Sequence, residues 1–226
     1  MTAAVGLQLV APARKRLLQR RIRLLVGITI GFNLLEAVIA LAAGGAASSA
    51  ALIGFGLDSI VEVLSAAAVA WQFAAPDPEK RERTALRVIA IAFFALALYV
   101  TIDSVLSLAG LRQADHSPVG IALTAVSLAV MPVLSLIERR TGQELGSASA
   151  VADSKQTLIC SYLSAAVLVG LLLNSLLGWA WADGVAALVI VVFAVREGLE
   201  AWRGEACAQP VSALTGERAT CNDGCC

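Results

Sequence analysis

Residues 50–74 read AALIGFGLDSIVEVLSAAAVAWQFA, an apolar stretch interrupted by two acidic residues. An α-helix needs about 20 mostly apolar residues to cross the hydrocarbon core of a bilayer, so this stretch is long enough to span one. Transmembrane β-strands are about half as long and alternate lipid-facing with lumen-facing residues, and the stretch shows no such alternation. The stretch therefore predicts a transmembrane helix, and its two acidic residues, Asp58 and Glu62, are the first candidates for functional residues.

Five further apolar runs of similar length accompany this stretch. The six predicted spans are residues 24–43, 50–74, 87–110, 118–137, 151–174 and 179–196. The composition agrees, because the chain of 226 residues has 58% hydrophobic residues, 15% charged residues and a mean hydropathy of +0.80, whereas soluble domains are about a quarter charged. We therefore predict an all-α integral membrane protein with six transmembrane helices, which excludes an ordinary soluble enzyme.

Basic residues concentrate in alternate connections between the spans. Because cytoplasmic loops of membrane proteins are rich in Lys and Arg, these residues mark the cytoplasmic side. They are Arg14, Lys15, Arg16, Arg20, Arg21 and Arg23 before the first span, Lys80, Arg81, Arg83 and Arg87 after the second, Arg139 and Arg140 after the fourth, and Arg203 and Arg218 after the sixth. Both termini are therefore predicted to be cytoplasmic, in a multi-pass protein of the cytoplasmic membrane.

This orientation divides the chain into three segments. We expect a basic cytoplasmic segment over residues 1–23, a six-helix transmembrane transport domain over 24–196 and a short cytoplasmic Cys-containing tail over 197–226. Equal numbers of basic and acidic residues, 17 of each, leave no net charge. The chain therefore lacks the basic surface that nucleic-acid binding requires, and its expected surroundings are the lipid bilayer.

Asp58 and Glu62 lie four residues apart in the second span, so both carboxylates lie on one face of the helix. An ionisable group at the centre of a bilayer costs roughly 3 kcal/mol or more and by default marks a pathway through the bundle. Two adjacent carboxylates in a low dielectric repel each other unless a cation or a proton lies between them. The pair predicts a site for a divalent cation that alternates with protonation. The alternative is that one acid is neutral and hydrogen-bonded.

The fifth span carries a polar stripe, because Asp153, Gln156 and Cys160 follow each other at positions i, i+3 and i+7. A carboxylate, an amide oxygen and a thiolate can complete the coordination of a metal that Asp58 and Glu62 begin. The thiolate favours zinc or cadmium over magnesium. Cys160 can alternatively be a small buried core residue.

Other polar residues in the spans have two interpretations. Asn33 and Glu36 share a face of the first span and are candidates for an accessory or proton-carrying role, although Glu36 can instead pair with Ser or Thr on a neighbouring helix. Asp183 is predicted to cap the sixth helix, with Trp179 and Trp181 at the outer membrane interface.

The tail contains Cys221, Cys225 and Cys226. In the reducing cytoplasm, free thiols or metal ligands are favoured over disulfides, and the CxxxCC spacing does not match the paired CxxC of a structural zinc site. The tail is therefore predicted either to capture soft metal ions or to be inert.

These segments resemble the cation diffusion facilitators, a family of six-helix exporters of zinc and related divalent metals. The resemblance is carried by NLLEAVIALAAG (33–44), SAALIGFGLDSIVEV (49–63), ADSKQTLICSYLSAAVLVGLLLN (152–174) and GWAWADGVAALVIVV (178–192). It implies a homodimer and a transport site made of two pairs of residues. Within each pair, three residues separate the two members. Asp58 and Glu62 match the second-span pair, while Gln156 and Cys160 stand where the family has His and Asp. The family's cytoplasmic domain after the sixth span and its His-rich loop have no counterpart here, so we expect a divergent member.

The sequence therefore predicts a secondary active transporter that exports a divalent heavy-metal cation in exchange for protons. Zinc is the first expectation, followed by cadmium or cobalt, and the metal is the transported substrate, with no cofactor. Two alternatives remain open: a membrane protein that binds or senses metal without transporting it, and a proton-coupled exporter of organic cations. A membrane enzyme is least favoured, because the sequence shows no nucleophile–base pair and no His-rich cluster, and no GxxxxGK[ST] motif supports ATP-driven pumping.

Overall fold

The computed structural model describes residues 12–73, 79–145 and 148–203, and within these residues it contains six α-helices and no strand. The helices are α1 (Pro12–Ala47), α2 (Ala50–Phe73), α3 (Glu79–Leu108), α4 (Pro118–Leu145), α5 (Ala148–Leu177) and α6 (Trp181–Arg203). Each predicted span overlaps one helix. Several helices continue past the predicted spans into the flanking Arg-, Lys- and Glu-rich residues, because these are good helix formers whose charged ends reach water.

Helices α1 to α5 are long and apolar enough to cross a membrane. Helix α6 has 23 residues, but its apolar stretch is bounded by Asp183 in the first turn and by Arg196 and Glu197 near the end. The chain is thus an all-α membrane protein, as the sequence predicted. The cytoplasmic placement of both ends and the boundaries of the three segments stay predictions.

Helix α2 contacts α1, α3, α5 and α6, while the most extensive pairs are α4 with α5 and α3 with α6. The main apolar core is formed mainly by α2, α3, α5 and α6, with Ala40 of α1. Its fully buried members include Leu52, Phe55, Val100, Leu163, Val167 and Ile190. The outer faces expose large apolar side chains such as Leu98 and Val192, as expected where lipid takes the place of water.

Glycines allow close approach between the helices that carry the polar residues. A methyl group at Gly170 of α5 would lie 2.7 Å from the Cβ of Ala186 on α6, and one at Gly56 of α2 would lie 3.0 Å from the Cβ of Ala40 on α1. Small residues at such contacts let transmembrane helices pack backbone to backbone. These contacts bring α1, α2, α5 and α6 close enough for their polar side chains to meet.

Asp183 lies in the first turn of α6 and is completely buried, but it does not serve its own helix. Its carboxylate accepts hydrogen bonds from the Ser49 hydroxyl at 2.5 Å and from the Ala51 amide at 3.3 Å, at the start of α2. The first N–H groups of a helix have no partner within that helix, and Asp183 of α6 supplies a partner for one of these groups in α2. The prediction that Asp183 caps α6 was therefore wrong, because Asp183 caps α2. Residues 49–51 and 183 are far apart in sequence and meet only through helix packing.

We expect Asp183→Ala to lower the free energy of unfolding by about 1–3 kcal/mol, because the Ser49 hydroxyl and the Ala51 N–H lose a shared buried acceptor. Denaturant unfolding of the purified protein in detergent, followed by circular dichroism, measures the change. The double variant Asp183→Ala with Ser49→Ala should lose less than the sum of the two single losses. Strict additivity would show that the two side chains do not interact.

Candidate metal centre

Three side chains of the kind that bind metals converge between α2 and α5. Asp58 and Glu62 come from α2 and Cys160 comes from α5, and one potential ligand atom from each lies within 4.8 Å of the other two. Asp58 and Cys160 are 7% and 4% exposed. The helical period places the two carboxylates on one face, and the α2–α5 contact brings that face to the thiol. The structure thus brings together three of the five residues that the sequence predicted as a metal site.

Glu62 links α2 to two other helices through hydrogen bonds. One of its oxygens, Oε2, accepts a hydrogen bond from the Asn33 side-chain amide of α1 at 2.6 Å. The other, Oε1, accepts one from the Cys160 thiol of α5. Burial of a carboxylate is unfavourable unless donors or positive charge surround it. Here the Asn33 N–H and the Cys160 S–H groups meet that need, and of these two protons only the thiol proton holds a position that a cation can take.

A narrow cleft beside these residues contains the predicted ligand Gln156. The polar part of its lining is Asp58, Glu62, Gln156 and Glu197. The remaining lining is apolar and consists of Phe93, Ile159, Leu163, Phe193 and Ala194. The cavity volume of the cleft is about 10 Å³, which leaves room for about one water molecule or one ion. Gln156 therefore lies beside the three converging ligands, in the cleft that Asp58 and Glu62 also line.

Two groups of predicted site residues fall outside the part of the chain with described side chains. Asp153 lies on α5, but its side chain is not among those described. Cys221, Cys225 and Cys226 lie beyond residue 203 and are also outside the described residues. The metal-binding roles of Asp153 and of the tail remain predictions.

Glu36 forms a separate buried cluster with hydroxyl groups. The side chain is 2% exposed. Its carboxylate accepts hydrogen bonds from Ser59 of α2 at 2.8 Å and from Ser127 of α4. Of the two interpretations from the sequence, pairing with Ser on neighbouring helices is therefore confirmed, and proton carriage by Glu36 stays a prediction.

Two further acidic residues were not anticipated from the sequence. Glu138 of α4 is 2% exposed and accepts hydrogen bonds from Thr29 at 3.1 Å and from Thr157 at 3.3 Å. Glu197 of α6 is half-buried and lines the cleft beside Asp58. Both lie next to arginines just past the predicted ends of spans, where spacing within the span gave no sign of burial. The helices continue past those ends, and helix–helix packing buries Glu138 and partly covers Glu197.

The donor set of two carboxylates and one thiol suits a borderline divalent cation. Zinc accepts sulfur, nitrogen and oxygen ligands, and sulfur disfavours magnesium and calcium. The chain's one histidine, His116, is exposed and lies in the α3–α4 connection, so the site contains no imidazole. A thiol binds metal as a thiolate, which means that cation binding here must release at least one proton.

Comparison with known proteins finds a matching domain family and a relative. The sequence profile of the cation efflux transmembrane domain matches residues 26–203. An uncharacterized transporter of Synechocystis sp. is 29% identical over an alignment of 171 residues that covers 71% of this chain and 55% of that protein. The chain thus spans about half the length of the curated relative that it matches.

Proposed function

The chain belongs to the cation efflux family, and we propose that it exports a divalent heavy-metal cation across the cytoplasmic membrane in exchange for protons. Zinc is the proposed substrate, with cadmium and cobalt as weaker candidates. One observation carries the proposal: Asp58, Glu62 and Cys160 converge in the membrane domain with ligand atoms within 4.8 Å of one another. Ionisable residues at such depth mark a pathway in membrane proteins, and this set has the chemistry of a metal site.

The proposed loading step uses the cleft between α2, α3, α5 and α6. A cation that enters from the cytoplasm first meets Glu197 and Gln156, which line the cleft with Asp58 and Glu62. It then replaces the thiol proton that Cys160 shares with Glu62, and this proton leaves to the cytoplasm as the cation binds. Carboxylates and a thiolate then compensate the two positive charges. Alternating access by movement of helices around this site releases the cation on the other side.

Protons drive the proposed cycle in the opposite direction. After release of the cation, Glu62 and Cys160 share a proton again, a step that the hydrogen bond between them supports, and Asp58 is a second acceptor. Because each bound cation displaces protons, raising the pH on the loading side strengthens binding. Lowering the pH on the release side favours unloading, so an inward proton gradient drives export.

The decisive experiment is metal flux in proteoliposomes with a defined pH gradient. Zinc, cadmium, cobalt and manganese are supplied in turn, and a metal-sensitive dye and a pH-sensitive dye are read together. We expect zinc and cadmium to move, with protons moving the other way. Metal binding without flux would favour the sensing alternative and overturn the transport proposal.

Organic cations are tested in the same vesicles. The cleft has room for about one water molecule or one ion, which favours a bare metal cation over an organic amine in the conformation described. Proton-coupled flux of an organic cation without any metal flux would overturn the proposal. A homodimer is part of the proposal and is tested by crosslinking in membranes.

Glu197→Gln is expected to raise the metal concentration for half-maximal flux by about tenfold, with a smaller effect on the maximal rate. The reason is that a carboxylate lining the cleft concentrates cations at the site. Glu200→Gln on the same helix is the matched control, because that carboxylate lies 3.3 Å from the guanidinium of Arg196. A flux curve for Glu197→Gln equal to the curves of both Glu200→Gln and the wild type would show that Glu197 does not help in loading.

A further inference from the structure

We propose that Asn33 of α1 is a ligand of the transported cation and binds it through the side-chain carbonyl oxygen. This inference rests on the proposed function of the Asp58–Glu62–Cys160 site. It extends that site from two helices to three and gives α1 a direct role in selecting the cation.

Asn33 has a buried side-chain amide in which the NH₂ group has a hydrogen-bond partner and the oxygen has none among the described residues. Asn33 is 3% exposed. Its Nδ2 donates to Glu62 at 2.6 Å, while its Oδ1 is buried and has no hydrogen-bond partner among the described residues. An unsatisfied buried acceptor is unfavourable because it has lost its bonds to water, and most buried polar atoms in proteins have a partner. An oxygen left open beside a cluster of metal-binding side chains points to a ligand that pairs with it.

The surroundings of Glu62 show how the cation recruits that oxygen. Without a cation, the Glu62 carboxylate accepts one hydrogen bond from the Asn33 amide and one from the Cys160 thiol. When a cation replaces the thiol proton, Glu62 no longer needs the N–H donor. The NH₂ and oxygen of an asparagine amide have nearly the same size and shape, so rotation of the amide turns Oδ1 towards the ion without repacking the helix.

The ligand count supports the same assignment. Asp58, Glu62 and Cys160 provide three ligands, whereas zinc sites are commonly four-coordinate and tetrahedral. An amide carbonyl is a neutral oxygen ligand that divalent cations accept. Asn33 is already bonded to Glu62, while Gln156 lines the neighbouring cleft, so Asn33 is the better placed of the two amides to complete the set.

The direct test uses the small number of asparagines in the chain, which are Asn33, Asn174 and Asn222. The full-length protein is labelled with ¹³C at the asparagine side-chain carbonyl and titrated with ¹¹³Cd²⁺ in detergent. We expect the Asn33 signal to shift and to split by coupling to cadmium. The Asn174 signal is the internal control, because its amide donates to the Ala114 carbonyl at 2.9 Å, outside the site, and it should stay unchanged.

Two substitutions test the contribution to affinity. Asn33→Leu is expected to weaken cadmium binding by about tenfold or more, and Asn33→Asp, which keeps an oxygen at the same place, to restore most of the loss. Thr124→Val is the matched control for removing a buried polar group, because its hydroxyl bonds the Gly120 carbonyl of its own helix at 2.8 Å. That control should bind cadmium as the wild type does.

The outcomes separate this inference from the proposed function. If the wild type binds cadmium while the Asn33 carbonyl signal stays unmoved, Asn33 is not a ligand and the inference is overturned, even where Asn33→Leu weakens binding through Glu62. Unchanged affinity in Asn33→Leu overturns it equally. If the wild type binds no cadmium, zinc or cobalt at all, the proposed function fails and this inference fails with it.

Discussion

Asp58→Asn is expected to reduce metal flux to the level of empty vesicles, a loss on the order of 100-fold or more. Substitution of groups that merely support a metal ligand costs about 10- to 100-fold in metal affinity or activity, and Asp58 is proposed to bind the cation itself. Asparagine has nearly the same shape but carries neither the charge nor the proton that the exchange requires. Initial rates of zinc and cadmium uptake into proteoliposomes measure the loss.

A matched control removes the same charge elsewhere in the membrane domain. Asp103 of α3 is 5% exposed and pairs with Arg112, away from the three ligands. Asp103→Asn should keep most of the flux. Asp58→Asn should still insert into the membrane normally, since loss of an intramembrane charge eases insertion. Wild-type flux from purified, correctly folded Asp58→Asn would remove the central proposal.

Cys160→Asp is expected to change the ranking of the transported metals by about tenfold or more. Thiolate sulfur prefers cadmium and zinc, while carboxylate oxygen suits manganese and magnesium. The ratio of cadmium to manganese flux should therefore fall, with some transport retained, because an acidic ligand replaces another acidic ligand. Competition between the two metals in the same vesicles gives this ratio directly.

The control for this change is Ser161→Ala on the same helix. Ser161 is 4% exposed, and its hydroxyl donates to the Thr157 carbonyl of its own helix, so it resembles Cys160 in size and burial but lies outside the site. The metal ranking should not change in this variant. The same ranking in Cys160→Asp and in the wild type would leave Cys160 with a packing role only.

Part of the candidate site could be predicted from the sequence because it lies within single helices. The spacing of Asp58 and Glu62 decides that they share a face, and their cost in a bilayer decides that they face the interior of the bundle. Spacing within one helix also selected Cys160, which shares a stripe with Asp153 and Gln156. Sequence spacing does not, however, show how a helix is rotated relative to its neighbours, so the hydrogen bond from Asn33 to Glu62 was beyond it.

The sequence by itself determined the class of the protein and the number of helices, because hydrophobicity and helical period act within one segment. Only the tertiary structure decided which polar groups meet: Asp183 binds the start of α2 and not its own helix, while Glu138 is buried and Glu197 half-buried just past the predicted ends of their spans. The physical reason is that these contacts join residues on different helices. Their geometry depends on small residues such as Gly56 and Gly170, which set how closely the helices approach.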